Sequence, residues 1–320
     1  TPQAVHAAIK TKEEGRPVKY FFTRKEEFQH DMFRPPTHHI MRGKLNDDGL
    51  LDGLEHEYAS GDVAIGSPML PGALHKILNT DIGAMRGALL QYKKIPNYRA
   101  VSWHQSLPFA TSWWRSLGLL ANTFAIESFI DEMALKAGIN PVEFRLKQIK
   151  DDEHGRRLKN VIRVAAEKAG YQDEPSDGRA MGFAASVDTG TPCAQVFEIS
   201  IEGKDIRIHK VTCVLDPGLA VNPDQVKAQC EGSIIMGISA AMFERMYIED
   251  GQLQPIIYGP YKMAQMRHTP EEIEIHLLQG VDRPFPVGEP PLGPVAAAIG
   301  NAYRRLTGTR LTRMPFADNM

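Results

Sequence analysis

One carboxylate stands out among the groups that could do chemistry. Glu289 lies in Val287-Gly288-Glu289-Pro290-Pro291-Leu292, which runs into a helix-like stretch from Val295 to Thr307. The two prolines fix φ and remove backbone donors, so the loop holds the glutamate stiffly. Pro294 suits the first helical turn and Gly308 the stop. A helix start collects unpaired N–H groups and partial positive charge, which favours an anionic ligand beside it. A carboxylate held this way can act as a general base when a transferable proton comes within hydrogen-bond reach. The same position also suits a solvated loop residue or a loop anchor.

Other reactive side chains form no constellation. Cys193, Cys213 and Cys230 show no CxxC pair and are too few for an iron–sulfur cluster, so they read as small buried apolar residues. His38 and His39 are adjacent, and neighbours on a strand point to opposite faces, so they cannot clamp one metal together. A net charge of −2 argues against a nucleic-acid footprint. No run of about eighteen apolar residues marks a membrane span. At 320 residues the chain has length for two domains and a large core.

The elements that must position Glu289 are legible in outline. Val18–Thr23 has strand composition. His38–Leu45 and Leu51–Tyr58 flank Asn46-Asp47-Asp48-Gly49, a hairpin signal. A Gly/Pro-rich loop (Gly61–Gly72) precedes a strand at Tyr98–Trp103. Asn122 suits an N-cap, apolar residues recur at helical spacing from Phe124 to Ala137, and Gly138 can end that helix. Asn140-Pro141 and Asn222-Pro223 each open a further helix. Ala194–Ile201 and Ile206–Leu215 alternate as antiparallel strands around Glu202-Gly203-Lys204, and Ile273–Leu278 adds another strand. Pro175–Gly178 is the candidate boundary, giving units 1–176 and 177–320.

Several motifs, taken in order, resemble the molybdenum hydroxylases, the xanthine dehydrogenase and aldehyde oxidase family. Gly288-Glu289-Pro290-Pro291-Leu292 resembles the family's active-site glutamate loop. Gly15–Lys19, Thr23–Glu27 and Phe33-Arg34-Pro35 resemble the segment carrying one pocket arginine. Trp114-Arg115-Ser116-Leu117-Gly118 followed by Phe124–Asp131 resembles the segment with the second. Asp216-Pro217-Gly218, Asn222-Pro223 and Gln229-Cys230-Glu231-Gly232 are similar to the pterin-adjacent segment. The variant most similar is the large subunit of the isoquinoline 1-oxidoreductase type, with its aldehyde dehydrogenase relatives. The resemblance extends from about residue 5 to the end.

The resemblance implies a mixed α+β fold of two molybdopterin-binding domains and a molybdenum-dependent hydroxylation with water-derived oxygen. The substrate would be an aldehyde or an N-heteroaromatic ring, with Glu289 as general base. Arg115 would face charge developing on the substrate; packing on Trp113 or Trp114 by cation–π contact is its structural alternative. Arg34 would be the other substrate-binding arginine. Gln229, Gly232 and Gly288 would border the pterin, and Thr189 and Gly190 would form a second loop near it; buried structural roles are the alternative. Ser116-Leu117-Gly118 departs from the Gly-Phe-Gly of xanthine oxidases, which argues against a purine substrate.

The resemblance further implies molybdopterin in its cytosine dinucleotide form, and [2Fe-2S] clusters on a partner subunit rather than on this chain. A cytochrome c or flavin subunit is a further expected partner. The family's Gly-Gly-Phe-Gly and Met-Gly-Gln-Gly turns are missing from this sequence. The chain is therefore expected to be the C-terminal part of a split or cleaved molybdenum subunit, unable to hold the cofactor alone. Its expected location is periplasmic or membrane-associated through partners, with the cytoplasm as alternative. The other classes to set against an enzyme are a scaffold subunit that keeps the fold without the cofactor, and a simple small-ligand binding module.

Overall fold

The computed structural model describes residues 2–64, 81–89 and 91–318. Most of the Gly61–Gly72 loop therefore lies outside the described residues. Helices α1 (Pro2–Glu14) and α2 (Arg24–His30) lead into strands β1 (Thr37–Leu45), β2 (Leu51–Ser60) and β3 (Asn97–His104). Helices α3 (Leu119–Ala137), α4 (Pro141–Lys147) and α5 (Glu153–Ala169) follow. Then come β4 (Arg179–Asp188), β5 (Thr191–Glu202), β6 (Asp205–Leu215) and α6 (Pro223–Met242). The short pair β7 (Tyr247–Glu249) and β8 (Gln252–Gln254), β9 (Glu272–Leu277) and α7 (Val295–Thr307) complete the order.

Two sheets organise these elements. In the first, β1 pairs antiparallel with β2, and β2 pairs parallel with β3. The second has the order β4-β5-β6-β9, antiparallel except for the parallel β6–β9 pair. Period-two alternation explains how this sheet is buried on both faces. Cys193, Phe197 and Ile199 of β5 join a core with α6 and α7, whereas Ala194 and Val196 join one with α4 and α5. Helix α3 contributes Phe124 to the first core and Ile126 and Ile130 to the second. Helix α7 lies so close to β4 that a Cβ at Gly182 would sit 2.0 Å from the Ala298 carbonyl oxygen. The connector at 175–178 joins α5 to β4, and the second core draws residues from both sides of it.

Local signals account for most element ends. Asn140 Oδ1 accepts from the Val142 N–H at 3.0 Å, and Asn222 Oδ1 from the Gln225 N–H at 3.2 Å, each with proline next in sequence. Gly138 and Gly308 take left-handed φ of 65° and 76° and end α3 and α7. Two expectations need correction. Val18–Thr23 forms no strand, because its residues make no ladder with either sheet. Asn122 is not an N-cap but lies inside α3, whose N-cap is Gly118. Its buried amide instead donates to the Ala84 and Arg86 carbonyls, each at 2.8 Å.

The cysteines are buried as expected, with Cys193 and Cys213 Sγ atoms 3.8 Å apart. Neighbouring thiols and burial push Cys213 and Cys230 well up, which keeps them protonated and inert. His38 and His39 do part company. His39 Nδ1 lies 3.0 Å from His56 Nε2 across the β1–β2 ladder, and the rings stack. Burial, with the neighbouring imidazole, lowers His39 to about 3, and burial lowers His56 to about 4.

Both values fall below the ordinary 6.5, so the unfolded chain takes up protons first on acidification. Stability is therefore full above pH 6.5 and declines towards pH 4. The fully buried His56 alone removes roughly 3 kcal/mol over that window. Hydrogen exchange of β1–β2 amides, corrected for intrinsic rates, should show protection falling between pH 7 and pH 4.5. A His56→Gln variant should flatten that slope; an unchanged slope would remove the pair from the account.

Candidate active site

The Glu289 loop is anchored along its length. Thr191 Oγ1 donates to the Pro286 carbonyl at 2.7 Å, Ser233 Oγ to the Gly288 carbonyl at 3.3 Å, and Gln195 Nε2 to the Pro291 carbonyl at 2.6 Å. Pro290–Leu292 form a 3₁₀ turn between the glutamate and α7, with Leu292 N–H donating to the Glu289 carbonyl at 3.0 Å. These bonds tie the loop to β5 and α6, so the glutamate rests on the core sheet rather than on a free surface segment.

Both carboxylate oxygens of Glu289 are engaged. Oε1 accepts from the Ser116 N–H at 2.9 Å, and Oε2 pairs with Arg86 Nη1 at 2.6 Å. A third of the side chain remains exposed. Arg86 also holds the buried Asp188, through Nε to Oδ1 at 3.0 Å and a second contact from Nη2 to Oδ2. Burial works against the Arg86 charge, yet the carboxylates of Asp188 and Glu289 raise its pKa on balance. Burial pushes Asp188 up, with Arg86 opposing.

Arg115 comes to the same place. Its Nε donates to the Gly288 carbonyl at 2.6 Å, and Nη2 donates to Gln229 Oε1 at 2.8 Å and to the Gln229 carbonyl at 3.1 Å. Burial lowers its pKa while Glu289 opposes. Among the described residues its guanidinium makes no cation–π contact with Trp113 or Trp114. Arg34 faces elsewhere: Nη1 donates to the Leu117 carbonyl and Nη2 to the Arg115 carbonyl, both at 2.8 Å. Burial pulls Arg34 down to about 10. It holds the turn that carries Arg115.

That turn is strained. Ser116 and Leu117 have φ of 74° and 50°, a region where L side chains crowd the following carbonyl. The strain aims the Ser116 N–H at Glu289. The buried Ser116 hydroxyl has no hydrogen-bond partner among the described residues. Ser116→Gly keeps the N–H while removing both costs, so it should stabilise the protein by about 1 kcal/mol and hold turnover within twofold. Thermal unfolding and steady-state rates check this; a loss of stability would show that the turn stores no strain.

The sequence-identified residues therefore divide. Glu289, Gly288, Arg115, Gln229 and Gly232 converge. A Cβ on Gly232 would meet only Arg115 Nη1 at 3.6 Å, and one on Gly288 only Gln229 Oε1 at 3.9 Å. Bare backbone at both glycines thus lies beside the Gln229 amide and the Arg115 guanidinium, with room for a ligand's polar edge. The described residues hold no group of three or more His, Cys, Asp or Glu able to bind a metal ion directly. Thr189 and Gly190 form the β4–β5 turn, with left-handed φ of 48° and 86°; Gly190 packs on Phe285 and its carbonyl accepts from Arg157. Arg86 is a site group that no motif marked, whereas Asp188 and Ser116 lie in the two segments singled out in the sequence, the Thr189–Gly190 loop and the Arg115 turn, without a role of their own there. Arg86 sits in an irregular loop, and only the fold brings it to Glu289.

Comparisons with known proteins bear on the family and the fold. Two models described as molybdopterin cofactor-binding domain match residues 1–149 and 125–270. The chain is 28% identical over 307 residues to isoquinoline 1-oxidoreductase subunit beta of Brevundimonas diminuta, covering 94% of this chain and 38% of that protein. It is 29% identical over 326 residues to the membrane-bound aldehyde dehydrogenase [pyrroloquinoline-quinone] of Gluconacetobacter polyoxogenes, covering 94% of this chain and 42% of that one. The chain thus spans less than half the length of these curated relatives. In structure it matches quinoline 2-oxidoreductase from Pseudomonas putida 86 with a TM-score of 0.76. That likeness, at 13% identity over 98% of this chain and 65% of the other, shows the mixed α/β fold.

Proposed function

We propose that this chain, which belongs to the molybdopterin cofactor-binding domain family, forms the glutamate-bearing part of a molybdenum hydroxylase active site. The observation that carries the reading is the convergence of Glu289, Arg115, Gln229 and two bare glycine backbones on one open space. Gln229 and the Gly232 and Gly288 backbones would hold the cofactor, which supplies the redox centre and acidifies the water-derived oxygen. Glu289, held by the Ser116 N–H and Arg86, would be the carboxylate that takes up a proton there. Arg115, fixed to the Gly288 carbonyl and Gln229, holds the loop and places positive charge beside the reacting carbon's substituents. Arg34 acts on substrate through this same turn.

The substrate class is an aldehyde or an N-heteroaromatic ring, in line with the names of the relatives. The cytosine dinucleotide form of the cofactor, an iron–sulfur partner subunit and a further molybdenum-subunit segment complete the proposed assembly. We also place the domain division at 176/177. No described helix is long and apolar enough to cross a membrane. The test is molybdenum analysis of the purified complex, with turnover of an aldehyde and heterocycle panel against an artificial electron acceptor. About one molybdenum per complex and oxidation of either class are expected; stoichiometric assembly without molybdenum would instead favour a scaffold.

A further inference from the structure

Arg86 has a place in the site that no motif or family match assigns. Its backbone is pinned to α3, because the Asn122 amide donates to its carbonyl. Its guanidinium then spans two carboxylates from separate segments, the end of β4 and the loop before α7. Asp188 closes β4 and is almost wholly buried, and Arg86 is its ion-pair partner among the described residues. Glu289 presents Oε2 to the same guanidinium at 2.6 Å. With Ser116 N–H on Oε1, the two donors fix the plane of the Glu289 carboxylate, which otherwise rotates freely about its last torsion.

We propose that Arg86 is the positioning residue for Glu289, and that Asp188, by sharing the Arg86 guanidinium, sets how strongly that cation acts on the glutamate. The inference rests on the reading of Glu289 as proton acceptor. A cation at hydrogen-bond distance holds a carboxylate in one orientation and stabilises its negative charge. Asp188 opposes this by drawing the same cation away and adding negative charge. Arg115 and Arg34 add more distant positive charge from the turn before α3. The two neighbours of Glu289 therefore act with opposite sign. A residue that only supported the loop would not produce that pattern.

The experiment is a pH series on the purified complex for wild type, Arg86→Gln, Arg86→Lys, Asp188→Asn and Glu289→Gln, each checked for molybdenum content. Arg86→Gln should move the acid limb of kcat/KM upward by about one pH unit and lower kcat roughly tenfold. Arg86→Lys should return the limb to near wild type while kcat stays low. Asp188→Asn should move the limb downward by roughly half a unit. The carboxyl infrared band lost in Glu289→Gln gives a second readout, and its titration should shift in the same directions. An unmoved limb and band, or shifts of one sign for Arg86→Gln and Asp188→Asn at wild-type molybdenum, would overturn the inference. If Arg86→Gln fails to assemble, the lysine and asparagine variants still decide. Full turnover by Glu289→Gln would instead overturn the reading of Glu289 itself.

Discussion

Glu289→Gln should lower turnover by about 10²–10⁴-fold while the complex keeps its molybdenum. The amide preserves size and can still meet the Ser116 N–H through its oxygen; its NH2 loses the pairing with Arg86, but the bonds from Thr191, Ser233 and Gln195 to the loop carbonyls should keep the loop's shape. What it loses is the ability to accept a proton. The effect should fall on kcat and kcat/KM together, since the missing interaction belongs to the transition state. Turnover above a few per cent of wild type, with full metal content, would contradict the assignment. A variant that loses molybdenum as well would place Glu289 in cofactor retention instead.

The largest expected effect on stability lies behind the site, at Glu127. This buried carboxylate accepts from Arg145 Nε at 2.8 Å, Tyr92 Oη at 2.5 Å, the Ala185 N–H at 3.0 Å and Gln91 Nε2 at 3.2 Å. It joins α3 to α4, to β4 and to the segment before β3. Arg145 is fully buried, so Glu127→Ala leaves an uncompensated charge in the interior. The cost should be about 3–5 kcal/mol, which lowers the unfolding midpoint by about 5–7 °C in a chain of this size. Glu127→Leu combined with Arg145→Met should recover most of that loss, because paired apolar replacement removes both desolvation costs. A loss below about 1 kcal/mol for Glu127→Ala would show that water reaches Arg145.

What the chain reveals before folding depends on the range of the interaction. The β1–β2 hairpin was legible because Asn46–Gly49 and the flanking alternation act within a few residues. The starts of α4 and α6 were legible for the same reason, each with an asparagine cap and an adjacent proline. Val18–Thr23 misled because strand composition reports a preference for a pleated surface, and no partner strand stands beside it. Asn122 misled because the same amide that caps a helix can satisfy loop carbonyls from inside one.

The candidate site divides on the same principle. Glu289 was conspicuous through its prolines, and Arg115 and Gln229 through motif resemblance. Arg86 had no local mark, since an arginine in an irregular loop is an ordinary surface feature, and Asp188 was noticed only as the start of the Thr189–Gly190 loop, not as a partner of Arg86. Only tertiary structure brings them to Glu289. The buried Glu127 and Arg145 were hidden likewise, because helical charges usually face solvent. Arg34 shows the reverse case: its motif pointed to substrate, whereas its guanidinium is engaged by the backbone of the Arg115 turn.

The most direct measurement is anomalous diffraction at the molybdenum absorption edge from crystals of the complex. A single strong peak in the space bordered by Glu289, Gln229 and Gly232, with the glutamate facing it, is the result expected here. A peak far from that carboxylate in an active complex would contradict the central claim and leave this chain with its fold but not the chemistry.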